Sequence, residues 1–285
     1  LMNIACMRAA GAAAFGLSMA CAAASAMAAP YAFSTGDPDG KIATASRPDS
    51  AGKIEIEAAD DFILGSTTSI ASATFSGLLT GDLPTVGGVA VEIYRVFPND
   101  SVEPPSGHVP TRANSPSDVA FTTRSAAAGE LSFVTAALGP FTALNSVLNN
   151  GIHPVPGQFT GGDGSASGQE VRFDIAFATP LLLPADRYFF VPQVEVGNGE
   201  FLWLSAPKPI VAGTGPFVPD LQSWIRDENL APDWLRVGTD ITHQGPFNAA
   251  FSLAGTTVAA IPEPETYALM LAGLGLLAAA VRRRS

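Results

Sequence analysis

From residue 54 to residue 253 the chain keeps returning to one pattern: a short β-branched or aromatic run of period two, then a turn built from Gly, Pro, Asn or Asp. The run at 54–57 is Ile-Glu-Ile-Glu, and those at 73–79 and 89–97 keep the alternation with Phe75, Val89, Val91 and Ile93. Similar runs fall at 118–123, 130–135, 170–178, 188–196, 200–204 and 247–253. Such a succession predicts an all-β body, an antiparallel β-sandwich of jelly-roll-like order spanning 29–258. Asn198-Gly199 predicts a hairpin between the runs on either side, and Pro192 inside a strand pattern predicts an edge or a bulge. One short helix is expected at 220–229, where Leu221, Trp224 and Ile225 stand at i, i+3, i+4 between Pro219 and Pro232. Long loops are expected at 98–117, 148–168 and 206–219, each rich in Pro, Gly or Ser.

The two ends read differently from the body. Residues 1–28 have the order of a secretory leader. A sparse basic start at Arg8 precedes an Ala-rich apolar stretch at 9–24, which predicts a signal helix, and Ala26-Met27-Ala28 forms an A-x-A cleavage site that leaves Ala29 first. A lipoprotein reading through Cys21 lacks the Leu expected three residues earlier, where Ser18 stands. At the other end, residues 261–285 place Pro262-Glu263-Pro264 before an uncharged apolar run at 266–281, closed by Arg282, Arg283 and Arg284. Sixteen helical residues reach roughly 24 Å, short of a ~30 Å hydrocarbon core, yet Tyr267 and the arginine stems can absorb a modest mismatch. The expectation is a transmembrane helix with its arginines cytoplasmic and the body outside. The two prolines lack an N–H and restrict the residues before them, which keeps the stretch extended and open to an enzyme's groove.

Both cysteines, Cys6 and Cys21, fall in the leader, so the exported body has no disulfide, thiolate nucleophile or cysteine-bound metal. It carries 24 Asp plus Glu against 11 Lys plus Arg, a net charge of about −13. That balance argues against nucleic acid and anionic membrane surfaces as partners, and suits divalent cations or plain solubility.

The tail resembles the PEP-CTERM sorting signal, which has these three parts in this order. The resemblance implies recognition by exosortase, an integral-membrane, cysteine transpeptidase-like enzyme that acts near Pro-Glu-Pro and releases or transfers the body. It also implies export through the Sec machinery, an inner-membrane-anchored stage, and then a cell-surface, outer-membrane or extracellular-matrix location alongside exopolysaccharide. An ordinary C-terminal anchor that is never processed is the plainer alternative.

A search for catalysis finds little. His108, His153 and His243 lie far apart, with no H-E-x-x-H or paired spacing, and Gly164-Ser-Ala-Ser-Gly168 has alanine where a nucleophile elbow needs serine. Gly161-Gly-Asp-Gly164 lacks the Lys and Ser/Thr of a phosphate cradle. Asp37-Pro38-Asp39-Gly40 opens like a Ca²⁺ loop, but the twelfth position is Pro48 rather than Glu, and Asp60-Asp61 is a second acidic pair beside a strand. Glu195, Glu200 and Asp174 are the carboxylates from which a glycoside hydrolase pair could be drawn. Trp234, after Pro232-Asp233, is the aromatic expected to be exposed for sugar stacking, whereas Trp203 and Trp224 are expected to pack. The sequence therefore points to a non-catalytic exported surface or matrix protein without a cofactor. A carbohydrate-binding module and a secreted hydrolase stand behind it.

Overall fold

The computed structural model describes residues 28–50, 52–152, 159–207, 222–258 and 264–283. The expected signal helix and cleavage residues Ala26 and Met27 lie outside these, as do Pro262, Glu263 and Arg284. The chain divides into a body, residues 28–259, and a second unit that contains the C-terminal tail.

The body is built of β1 (Pro30–Ser34), β2 (Ile42–Ala45), β3 (Ile56–Ile63), β4 (Thr68–Thr80), β5 (Thr85–Arg95), β6 (Thr122–Ser125), β7 (Leu131–Ala143) and β8 (Asn145–Val147). It continues with β9 (Ala166–Leu183), β10 (Arg187–Gly197), β11 (Glu200–Ala206), β12 (Trp224–Asp227), β13 (Leu235–Arg236), β14 (Asn248–Ala249) and β15 (Phe251–Thr257). A single π-helical turn, Val237–Ile241, follows β13. The strands form two sheets. In the larger, β4 carries β9 and then β7 along one edge, while its other edge is shared: β15 and β1 continue from Thr68–Phe75, and β11, β2 and β8 from Gly77–Thr80. The smaller sheet runs β13-β12-β3-β10-β5-β6. Every pairing is antiparallel except β2 with β8.

The sheets share one core. Phe75, Phe173, Phe201, Trp203 and Phe251 of the larger sheet meet Phe190 of the smaller, with Phe75 and Phe173 stacked at 4.8 Å and Phe190 and Phe251 at 5.2 Å. Each such side chain removed from water contributes about 1.5–3 kcal/mol, so period-two placement of phenylalanines suffices to fix which face of each strand turns inward. Trp203 is buried there as expected, its indole N–H donating to the Ala250 carbonyl at 3.0 Å.

Two local expectations change and a third holds. The stretch at 220–229 holds no helix among its described residues: Trp224–Asp227 is strand β12, paired with β3. Trp224 packs with Phe189 and Trp234 while Ile225 packs on the opposite side with Ile56 and Leu235, so a strand buried on both faces mimicked a helical stripe. Asn198-Gly199 does turn the chain, with Asn198 at φ +58°, but β10 and β11 enter different sheets and form no hairpin. Gly199 is needed because a Cβ there would lie 1.8 Å from the Thr80 carbonyl oxygen. Pro192 sits where β10 has already left β3, whose pairing ends at Phe190, so the proline meets the edge that its missing N–H requires.

Candidate functional site

The expected loop at 98–117 lies against the outer face of the smaller sheet, and between them lies a set of buried charges that the sequence did not single out. Arg226 of β12 donates through Nε to Glu57 of β3 and through a terminal nitrogen to the Tyr94 hydroxyl at 3.0 Å. That hydroxyl lies 2.5 Å from Glu57 and 2.9 Å from Glu92, and its single proton serves only one of them. Burial, and then the charge of Glu57, push the Glu92 carboxyl up to about 7, so below that pH a neutral Glu92 supplies a second proton. Further out, Arg112 pairs with Asp118 and with Asp233, the latter at 3.2 Å, and Ser106 donates to Asp233. Asp118 also accepts the backbone N–H groups of Val102 and Glu103. The loop's main chain is thereby tied to β12 and to the turn that follows it.

Trp234 belongs to this set, which corrects the expectation that it is exposed. It is 0 % accessible, donates its indole N–H to the Ser117 carbonyl at 3.2 Å, meets Tyr94 edge-on at 5.5 Å, and has the Arg226 guanidinium 4.3 Å from its ring. Pro232-Asp233 read as a surface turn, but the long loop folds over it. All three tryptophans are buried, so none offers a sugar-stacking face.

The acidic candidates are dispersed. Asp39 is committed to its own turn, accepting from the Lys41 N–H at 3.1 Å and the Ser205 hydroxyl at 2.5 Å, with the Lys41 ammonium at 3.2 Å. Asp37 lines a groove of about 430 Å³ on the larger sheet with Arg172, Asp174, Thr74 and Ser76, and there Arg172 holds Asp174 at 3.0 Å. Asp60 and Asp61 lie within β3 on opposite faces: Asp60 accepts the Ala249 N–H at 2.7 Å between the sheets, and Asp61 pairs with Arg187 at 3.2 Å. Glu200 is held by Arg47 at 3.0 Å and Lys53 at 3.3 Å, and Glu195 lies against Gly87 and Gly88. Among the described residues no three His, Cys, Asp or Glu side chains form a group able to hold a metal. His108 and His243 are exposed, His243 edge-on to Phe159 at 4.0 Å, and His153 lies outside the described residues.

The tail forms α1 (Pro264–Arg282). It begins on a proline, whose missing N–H costs nothing in a first turn, and has Arg282 in its last turn, where a cation suits the helix dipole. Met270, Leu271, Leu276, Leu277 and Val281 are all exposed, so the helix is apolar around its whole circumference. The expected transmembrane helix is nevertheless not found: no helix among the described residues is long and apolar enough to cross a membrane. The helix itself is present, but its uncharged run, 266–281, reaches only roughly 24 Å against a ~30 Å hydrocarbon core.

Residues 260–284 match the family model for the PEP-CTERM protein-sorting motif. The chain carries a PEP-CTERM sorting motif. This marks it as an exported protein sorted by exosortase in a membrane-associated step. No curated protein and no solved structure matches the chain. Of the PEP-CTERM motif's parts, Pro264 opens α1 and Arg282 and Arg283 follow the apolar run.

Proposed function

We propose that this chain is a non-catalytic cell-surface or exopolysaccharide-matrix protein, exported through the Sec machinery and delivered by exosortase through its PEP-CTERM tail. The observation that carries the reading is the motif itself, with its order of Pro262-Glu263-Pro264, apolar helix and arginines. The body supports the non-catalytic part. Its buried carboxylates at Glu57, Asp118 and Asp233 are spent on arginines and backbone N–H groups, and the hydrolase candidates Asp174 and Glu200 are each held by a cation. A jelly-roll-like order for the body is favoured by the repeated crossing of the chain from one sheet to the other, as β9, β10 and β11 do in succession. Burial of Trp234 removes the residue on which a carbohydrate-binding reading rested.

Intact-mass measurement of the extracellular form, with fractionation of the polysaccharide layer, tests this. The expected species starts at Ala29, lacks Arg284 and co-fractionates with the polymer. Retention of Arg284 on the extracellular protein overturns the sorting reading, and recovery of the protein free of polymer overturns the matrix reading.

A further inference from the structure

The larger sheet ends on one side at β7, thirteen residues long and hydrogen-bonded only to β9 among the described strands. The other strands at the limits of the sheets are shorter: five residues in β1, four in β6, three in β8 and two in β13. An edge of this length presents a row of free N–H and C=O groups, which proteins usually protect with charges, prolines or bulges. The second half of β7 has such protection, with a bulge between Ala137 and Gly139 and then Pro140. The first half, Leu131-Ser-Phe-Val-Thr-Ala-Ala137, has none, and no residue of β7 is charged in a chain of net charge −11. Val134 and Thr135 are both exposed although they point to opposite faces, so the strand projects beyond the shared core there, with Val134 68 % accessible.

From this geometry we infer that β7 is a homodimer edge: two copies of the chain pair antiparallel through residues 131–137 about a twofold axis near Val134. The inference is independent of the sorting tail. A second copy is the occupant that the charges favour. Two acidic bodies repel across most of their surfaces, and an uncharged strip is where one copy meets another without opposing like charges. An antiparallel edge is also self-complementary, since a twofold axis places the same residues on both sides and turns each free N–H toward a free carbonyl. Centred on Val134, the pairing sets Ser132 opposite Ala136 and Phe133 opposite Thr135, stops before the bulge, and covers each exposed Val134 with its mate. The larger sheet then runs continuously through both copies.

The absence of body cysteines makes the register measurable. In the full chain with Cys6 and Cys21 changed to Ser, Val134→Cys should oxidise in air to a disulfide-linked dimer. Val102→Cys, even more exposed on the loop that covers the other sheet, should remain monomeric under reducing-agent-free electrophoresis. Light scattering should give twice the monomer mass for the unmodified chain, and Val134→Lys should weaken the dimer by at least tenfold while leaving the thermal midpoint of the monomer unchanged. A monomer at all concentrations up to about 100 µM overturns the inference. So does a dimer indifferent to Val134→Lys, or equal cross-linking at Val102 and Val134.

Discussion

Asp60 has its carboxyl between the two sheets, fully buried, with one oxygen accepting the Ala249 N–H. Burial, followed by the neighbouring charge of Asp61, holds its pKa well above the ordinary aspartate value. A carboxyl whose folded pKa is raised favours the folded state below its unfolded pKa, and this contribution is lost as pH rises through the folded value. Asp60→Asn, which keeps the shape and an acceptor for Ala249, should therefore raise the thermal midpoint by a few degrees at pH 8. The gain should vanish toward pH 4, as read by calorimetry across that range. A midpoint difference that grows on acidification would mean that Asp60 is ionised in the core. Glu92, pushed up from the ordinary 4.5 to about 7, titrates in the same direction, so its contribution to wild-type stability should fall as pH rises from about 4.5 through about 7.

At the scale of elements, the loop between β5 and β6 owes its order to Arg112. Burial alone would raise Asp118, but the hydrogen bonds from Arg112 and from the Glu103 and Val102 N–H groups outweigh it and hold the carboxyl below its usual value. Its contribution is present above the unfolded pKa and is lost as pH falls through the folded one. Arg112→Ala leaves two carboxylates buried without their cation, an effect of about 3–5 kcal/mol. The expected result is rapid proteolytic cleavage within 98–117 in a protein whose far-ultraviolet dichroism still reports strands. Equal protease resistance in the variant would show that the prolines alone hold the loop. This element also marks where sequence reading ran out. Strands buried on one face, such as β4, β5 and β9, were legible because alternation reports a one-sided environment directly. β12 was not, since burial on both faces erases period two, and the cover that buries it comes from a segment over a hundred residues away. Trp234 was misjudged for the same reason: a Pro-Asp turn reads as surface unless something folds over it. The charges at Glu57, Asp118 and Arg226 carry no local motif, because their pairing is set by which strands become neighbours.

At the scale of the whole molecule, the two ends of the body lie side by side. β1 pairs with β15, Pro30 opposite Thr256, and the Thr257 N–H donates to the Ala29 carbonyl at 2.8 Å. The first residue expected after leader cleavage is thus already part of the sheet edge from which the tail departs. The Val258 N–H is tied to the Thr67 carbonyl, and Val258 stands four positions before Pro262, a span of at most about 14 Å. A sorting enzyme that reads Pro-Glu-Pro must approach within that reach of a folded domain, and α1 begins at the last of those three residues, Pro264. Pro264 suits that first helical position and works against extension of the helix into the residues before it, because proline cannot donate into a helical ladder and disfavours helical conformation in the residue before it. Replacing Pro262-Glu263-Pro264 with three alanines lets the helix propagate toward Val258 and removes the recognised side chains. The expected outcome is a protein exported and trimmed to Ala29 but retaining Arg284 by intact mass, accumulated in the membrane fraction because the apolar surface of α1 is never removed. Normal processing of this variant would show that the tail is recognised through its apolar run and arginines alone. Loss of the protein altogether, with the leader uncut, would place the defect before sorting.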